Sequence, residues 1–340
     1  MRLLKLFLAI SISASWASAQ DQFVINMDAR NVSVNVTVVD SSGRPVTRLT
    51  RNDFSIFEDG VLQDIQKFES VDIQYNILML ADCSGSTEAN WPFMKNAVDR
   101  FAAKLRPQDK ISVAQFGTRI ETLMDWQAWT GASLRVNLQP DSRTCQGTDV
   151  YEAVESAVAR FRGINGRKGI VMLTDGMHNG FPKRDMVVQG RRIQRIDNAD
   201  NDKEFQKVLK SISKSDVVFY FVAINTDLNP DELGRQGLQS RAGTGVYNPD
   251  LIYNMQQARS RMEQVADVTG GRVSFPKRPA DVAVLYEEIA REFGTNYGLW
   301  YAPSNSNDSD NSRERIITVK VNTPGLTVKQ NRDRYSPLPK

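Results

Sequence analysis

Two cysteines and one histidine in 340 residues remove several chemistries at the outset. Cys83 and Cys145 are too few for a disulfide-built scaffold or a cysteine-held zinc site. His178 stands alone, a base without a matched nucleophile. Charge of one sign is not in excess either. With 43 Lys and Arg against 40 Asp and Glu, there is no basic footprint for nucleic acid. Long apolar runs are scarce: Leu6 to Ile12 is too short to span a bilayer, and no later stretch could cross one. Also missing are an internal repeat, a Gly-x-Ser-x-Gly elbow and a pair of carboxylates placed for acid/base work. Hydrolysis therefore has little support, and the chain reads as something other than an enzyme.

What is present begins with an export signal. Arg2 and Lys5 precede the apolar run, and Ala17-Ser18-Ala19 supplies a small-residue cleavage site, so residues 1–19 read as a secretory peptide. No Cys follows that site, which argues against a lipoprotein. Cleavage leaves 41 basic against 40 acidic residues and no transmembrane segment. The expected location is periplasmic or extracellular, and the two cysteines then sit in an oxidising compartment.

Residues 20–72 have β texture. Val32, Val34, Val36 and Val38 alternate with polar residues, and Ser41-Ser42-Gly43 and Asp59-Gly60 supply turns. From 73 to 296 the pattern changes. Ile77 to Ala81, Ile111 to Phe116, Ile170 to Leu173 and Val217 to Ile224 are continuous apolar runs, the mark of strands covered on both faces. Helical stripes lie between and after them, as at Met94, Ala97, Val98, Phe101 and Leu105, or Val150, Val154, Ala157, Val158 and Phe161. Ile120 to Trp126 is expected as an edge strand. Strands alternating with helices predict a doubly wound α/β fold: a mainly parallel sheet with helices on both faces. The tail, 297–340, returns to β texture. Tyr297, Leu299 and Tyr301 alternate, as do Arg315, Ile317, Val319 and Val321, and Ser304 to Ser312 is a polar loop between them. This C-terminal hairpin is expected to pack with the N-terminal β region into a small β-sandwich, since neither piece alone has enough strands.

Chemistry gathers where the apolar runs end. Asp82-Cys83-Ser84-Gly85-Ser86 follows the first run, Gly147-Thr148-Asp149 opens a helix, and Leu173-Thr174-Asp175-Gly176 closes another run. Ligands in open α/β sheets bind just outside the carboxyl ends of strands. Two carboxylates and three hydroxyls there form a hard oxygen set suited to Mg²⁺, with Mn²⁺ or Ca²⁺ as alternatives. Singly, each has a plainer role: Thr148 as a helix N-cap, Asp175 as a turn former.

In this order and spacing the chain resembles the von Willebrand factor A domain over about residues 72–296. Asp82, Ser84, Ser86, Thr148 and Asp175 match that family's metal-ion-dependent adhesion site. The flanks Val36 to Arg44, Asn52 to Gly60 and Tyr297 to Tyr301 look like the secreted bacterial VWFA-related family of acidobacterial type. The resemblance implies direct coordination by Ser84 and Ser86, direct or water-mediated coordination by Thr148, and largely water-mediated coordination by Asp82 and Asp175. The implied function is adhesion, in which a partner protein's Asp or Glu carboxylate completes the octahedron. A uronate could present the same group.

The sequence departs from the family pattern around this site. Cys83 occupies a variable position of the first loop, Thr87 stands where Met is frequent, and Cys145 lies three residues before Thr148. A Cys83–Cys145 disulfide would tie two metal-bearing loops together; otherwise Cys83 is a small core hydrophobe and Cys145 is exposed. Two insertions, Met177 to Ala199 and Thr226 to Ile252, leave from strand ends and are expected to wall the site. The first carries Lys183, Arg184, Arg191, Arg192 and Arg195, either a rim that steers an acidic partner or a solvated loop. Trp91 is placed to touch a ligand or to staple a helix start. Competing functions are a hydrolase with His178 as base and a scaffold whose cation is purely structural.

Overall fold

The computed structural model describes residues 32–131, 136, 142–188, 190–224, 249–278, 280–304 and 313–335. Residues 1–19, read above as a secretory peptide, most of the 226–252 insertion and all but Ser304 of the polar loop lie outside them.

The central sheet has six strands in the order β12-β11-β8-β5-β6-β7. They are β5 (Tyr75–Asp82), β6 (Lys110–Phe116), β7 (Ile120–Ala128), β8 (Arg167–Thr174), β11 (Val217–Ala223) and β12 (Arg272–Ser274). All run parallel except β7, which closes one edge antiparallel to β6. Among the described residues, five helices cover it: α1 (Trp91–Ala102), α2 (Val150–Ala159), α3 (Lys203–Ile212), α4 (Pro249–Thr269) and α5 (Asp281–Thr295).

The continuous apolar runs are explained by two cores. Successive strand side chains point to opposite faces. Leu78 and Leu80 of β5 face the core built with α2, α3 and α4, while Ile77, Met79 and Ala81 face the core built with α1 and α5. β11 divides in the same way, Phe219 and Phe221 to one side and Val218, Tyr220 and Val222 to the other. Each large apolar side chain fully buried in this way stabilises the fold by about 1.5–3 kcal/mol.

The flanks build two further sheets. One has the order β15-β1-β13-β4 and the other β16-β14-β2-β3. Their strands are β1 (Val32–Val39), β2 (Phe54–Glu58), β3 (Val61–Gln63), β4 (Ile65–Glu69), β13 (Asn296–Tyr301), β14 (Arg315–Val321), β15 (Thr327–Gln330) and β16 (Arg334–Tyr335). Val34, Val36, Phe54, Ile56, Tyr297, Leu299, Tyr301, Ile317 and Val319 share one core between them. The C-terminal hairpin expected over 297–340 is not what forms. β13 pairs β1 and β4, whereas β14 pairs β2 in the opposite sheet. Alternation puts Tyr297 and Ile317 on an inner face equally well in either sheet, so the pattern alone does not separate a hairpin from a crossover.

The two units meet at the amino ends of β5 and β8. Buried Arg167 sits 3.2 Å from Glu69, donates to the carbonyl of Asn296 and lies over the Tyr75 ring. Lys67 bridges Glu69 (2.8 Å) and Asp216 (3.3 Å), and Lys168 reaches Asp216 at 2.6 Å. Beside this cluster the polar face of β1 is buried too. Ser33 and Asn35 donate to the carbonyls of Thr269 and Gly270, and Arg332 to that of Asp267, which together cap the last turn of α4.

Candidate functional site

The carboxyl ends of β5 and β8 are neighbours in the sheet, so the acids that end those strands are brought together by register alone. Asp82 is the last residue of β5, fully buried. Its Oδ1 accepts from the Ser84 amide at 2.9 Å and its Oδ2 from the Thr174 hydroxyl at 2.6 Å. Asp175 follows β8, 4% exposed, and accepts from the Met177 amide at 2.9 Å, the turn-forming bond its sequence context suggests. Gly176 makes that turn in the left-handed region at φ +71°, where side chains are disfavoured. Ser86 hydrogen-bonds the Asp175 carboxylate, and its hydroxyl lies 3.2 Å from that of Ser84.

After Asp82 the chain turns through a short 3₁₀ segment, Gly85–Asn90, into α1. Thr87 ties this turn: its hydroxyl lies 2.7 Å from the Asp82 carbonyl and 2.9 Å from that of Ser84, and accepts from Trp91 Nε1. Trp91 is thereby placed as the first residue of the helix, stapled to the loop.

Thr148 is buried on a different kind of support. Asp149, and not Thr148, caps α2 by accepting from the Glu152 amide. Thr148 is gripped by Asn179, whose amide donates to the Thr148 carbonyl at 2.9 Å and whose Oδ1 accepts from the Thr148 amide at 3.3 Å. Its loop presses on the end of β6, where the Asp149 amide donates to the Gly117 carbonyl. A Cβ on Gly117 would stand 2.1 Å from the Thr144 carbonyl oxygen, so glycine is required for this approach. Cys145 of the same loop is disulfide-bonded to Cys83, with Cα atoms 5.1 Å apart.

Both carboxylates are electrostatically uncomfortable. Burial, followed by the Asp175 charge, pushes Asp82 up to about 7, and burial raises Asp175 as well. Among the described residues no Lys or Arg ion-pairs with either acid. Nor, among them, do three or more His, Cys, Asp or Glu gather as a cage. The candidate donors are two carboxylates and three hydroxyls, an all-oxygen set that fits a hard divalent cation. Asn179, Thr174 and Thr87 support this set but carry no spacing signal of their own.

His178 is packed as an aromatic. Its ring lies 4.2 Å from that of Tyr151 and 5.2 Å from Phe181, the side chain is 6% exposed, and burial lowers its pKa. The basic insertion forms a hairpin, β9 (Lys183–Val188) with β10 (Arg191–Ile196), that packs on α4. Arg184 meets the Tyr253 hydroxyl and Arg195 lies over the Tyr253 ring. Residues 177–179, at the start of the insertion, are the part that reaches Thr148.

The sequence profile of the von Willebrand factor type A domain matches residues 76–261. No curated protein matches the chain. Among solved structures, BatB from Bacteroides thetaiotaomicron is similar at 15% identity, covering 64% of this chain and 98% of its own, with TM-score 0.42. Proximal thread matrix protein 1 from the mussel byssus, solved with a zinc-occupied MIDAS motif, is similar at 16% identity, covering 66% and 46%, with TM-score 0.42. A von Willebrand factor type A protein from Catenulispora acidiphila is 10% identical, covering 91% and 75%, with TM-score 0.41.

Proposed function

The chain belongs to the von Willebrand factor type A domain family, and from that premise we propose that it is an exported interaction module. Asp82, Ser84, Ser86, Thr148 and Asp175 hold one divalent cation, Mg²⁺ in the first instance with Mn²⁺ or Ca²⁺ as alternatives, and so capture an Asp or Glu carboxylate of a partner protein. The observation that carries this reading is the pair of buried carboxylates at the carboxyl edge of the sheet, neither of which meets a Lys or Arg among the described residues. When bound, the cation supplies a Lewis-acidic position for a partner's oxygen ligand.

The chain's own groups do the remaining work. Asp82 and Asp175 provide negative charge for a cation. Ser84 and Ser86 present neutral oxygens, which leave much of that cation's charge unquenched. Thr174 and the Ser84 amide hold the Asp82 carboxylate in one orientation. Binding without turnover is supported by the packing of His178 against Tyr151 and Phe181. Export is supported by the pattern of residues 1–19, and no described helix is long and apolar enough to cross a membrane.

Calorimetric titration of Mg²⁺ and then Mn²⁺ into metal-stripped protein is the test, with a pull-down with and without chelator to follow. One-site binding that is lost in Asp175→Ala, with chelator-sensitive capture of a partner, is the expected result. Ser84→Ala separates the readings. Lost capture with an intact fold supports adhesion, lost turnover would support an enzyme, and lost stability a structural cation.

A further inference from the structure

The five oxygen donors do not share one kind of support. Asp82, Ser84 and Ser86 continue from β5 and Asp175 from β8, two strands paired along seven residues, so the sheet itself sets their spacing. Thr148 follows no strand. It lies on the short loop between the 3₁₀ turn Arg143–Gln146 and α2, held by hydrogen bonds to Asn179 and to the end of β6. One covalent link joins this loop to the strand-borne group. Cys83 lies between Asp82 and Ser84, and its sulfur meets that of Cys145 across 62 residues of chain.

We infer that the Cys83–Cys145 disulfide is a positioning element of the cation site, holding Thr148 beside the β5 loop before any cation arrives. This rests on the reading of the five residues as a cation site. The disulfide leaves the donors free. Cys83 stands between Asp82 and Ser84 and is not one of the three donors of its loop, so its bond to Cys145 uses none of their side chains. Both half-cystines are buried, 1% and 7% exposed. A reductant's thiolate needs access to a sulfur, so this burial disfavours reduction of the link in the folded protein. It follows that a fully competent site requires folding in an oxidising compartment, the environment that the secretory peptide supplies.

The test compares wild type with Cys83→Ala/Cys145→Ala in two measurements on the whole mature chain. The first is Mn²⁺ titration of folded protein, with circular dichroism verifying the fold. The variant is expected to bind about tenfold to a hundredfold more weakly, the range seen when an outer-shell support is removed. A merely structural disulfide would lower the denaturation midpoint and leave the affinity of the folded protein unchanged. The second is amide hydrogen exchange in chelator over residues 142–149. Faster exchange there, with β5 and β8 still protected, is expected. Unchanged affinity together with unchanged exchange in a folded variant overturns the inference. If wild type itself binds no Mn²⁺, the proposed function fails, and the exchange measurement alone decides whether the disulfide positions the loop. Should the alanine pair not fold, Cys83→Ala/Cys145→Val, which restores buried volume, is read in the same way.

Discussion

The two ends of strands β5 and β8 handle buried charge in opposite ways. At their amino ends, Glu69 and Asp216 each meet cations, through Arg167, Lys67 and Lys168, at 2.6–3.3 Å. At their carboxyl ends, Asp82 and Asp175 have hydroxyl and amide donors but no Lys or Arg partner among the described residues. The same sheet sets the register at both ends, so strand geometry does not account for the contrast. A balanced cluster can bury charge and join two units. An unbalanced one costs folding free energy that a bound cation would offset, and this is the kind of strain found at ligand sites.

The largest effect is expected from unbalancing the amino end. Arg167→Met takes the buried guanidinium away from Glu69 and leaves Lys67 as its remaining cation, and breaking a buried pair costs up to about 3–5 kcal/mol. Urea denaturation should show that loss, while the cation affinity of the folded fraction stays as in wild type.

Next comes pH, which tests the carboxyl end. The folded pKa of Asp82 is raised from 3.8 to about 7, so the metal-free folded state binds more protons than the unfolded chain between those values. Metal-free protein should therefore lose stability as pH rises from about 4 to about 7, by roughly 2 to 4 kcal/mol. Saturating Mg²⁺ should flatten that fall, and urea midpoints at both pH values with and without chelator check it. A metal-free protein as stable at neutral pH as at pH 4 would contradict the contrast between the two ends.

Asp175→Ala should then remove the stabilisation given by cation, which is about 2.7 kcal/mol at a hundredfold excess over Kd. Thermal melts with and without Mg²⁺ should separate for wild type and coincide for the variant. The smallest effect is expected from Arg334→Ala, which removes exposed pairs to Glu314 and Asp333 that belong to neither end's charge cluster. Its denaturation midpoint should match wild type, because solvent-screened pairs contribute little.

Much of the fold is legible in the amino-acid sequence. The runs Ile77 to Ala81, Ile170 to Leu173 and Val217 to Ile224 fall within β5 and β8 and across β11, because strands buried on both faces need apolar residues at every position. Asp82 and Asp175 could be assigned to one sheet edge from their place after such runs. Asn179 and Thr174 could not. Their roles depend on hydrogen bonds to Thr148 and Asp82 that lie far off in the chain, and an Asn or Thr near a strand end is common whatever it touches. The hairpin expected in the tail failed for a related reason: inward alternation identifies a face of a sheet but not which sheet.

The amino-acid order by itself thus determined the α/β class, the helical and strand periods and the candidate donors, all of which follow from local spacing and from burial. Only the tertiary structure decided that β13 and β14 lie in opposite sheets, that Cys83 meets Cys145, and that one end of the sheet is charge-balanced and the other is not. Each of these is a distance between groups far apart in the chain, and spacing along the chain does not encode such distances.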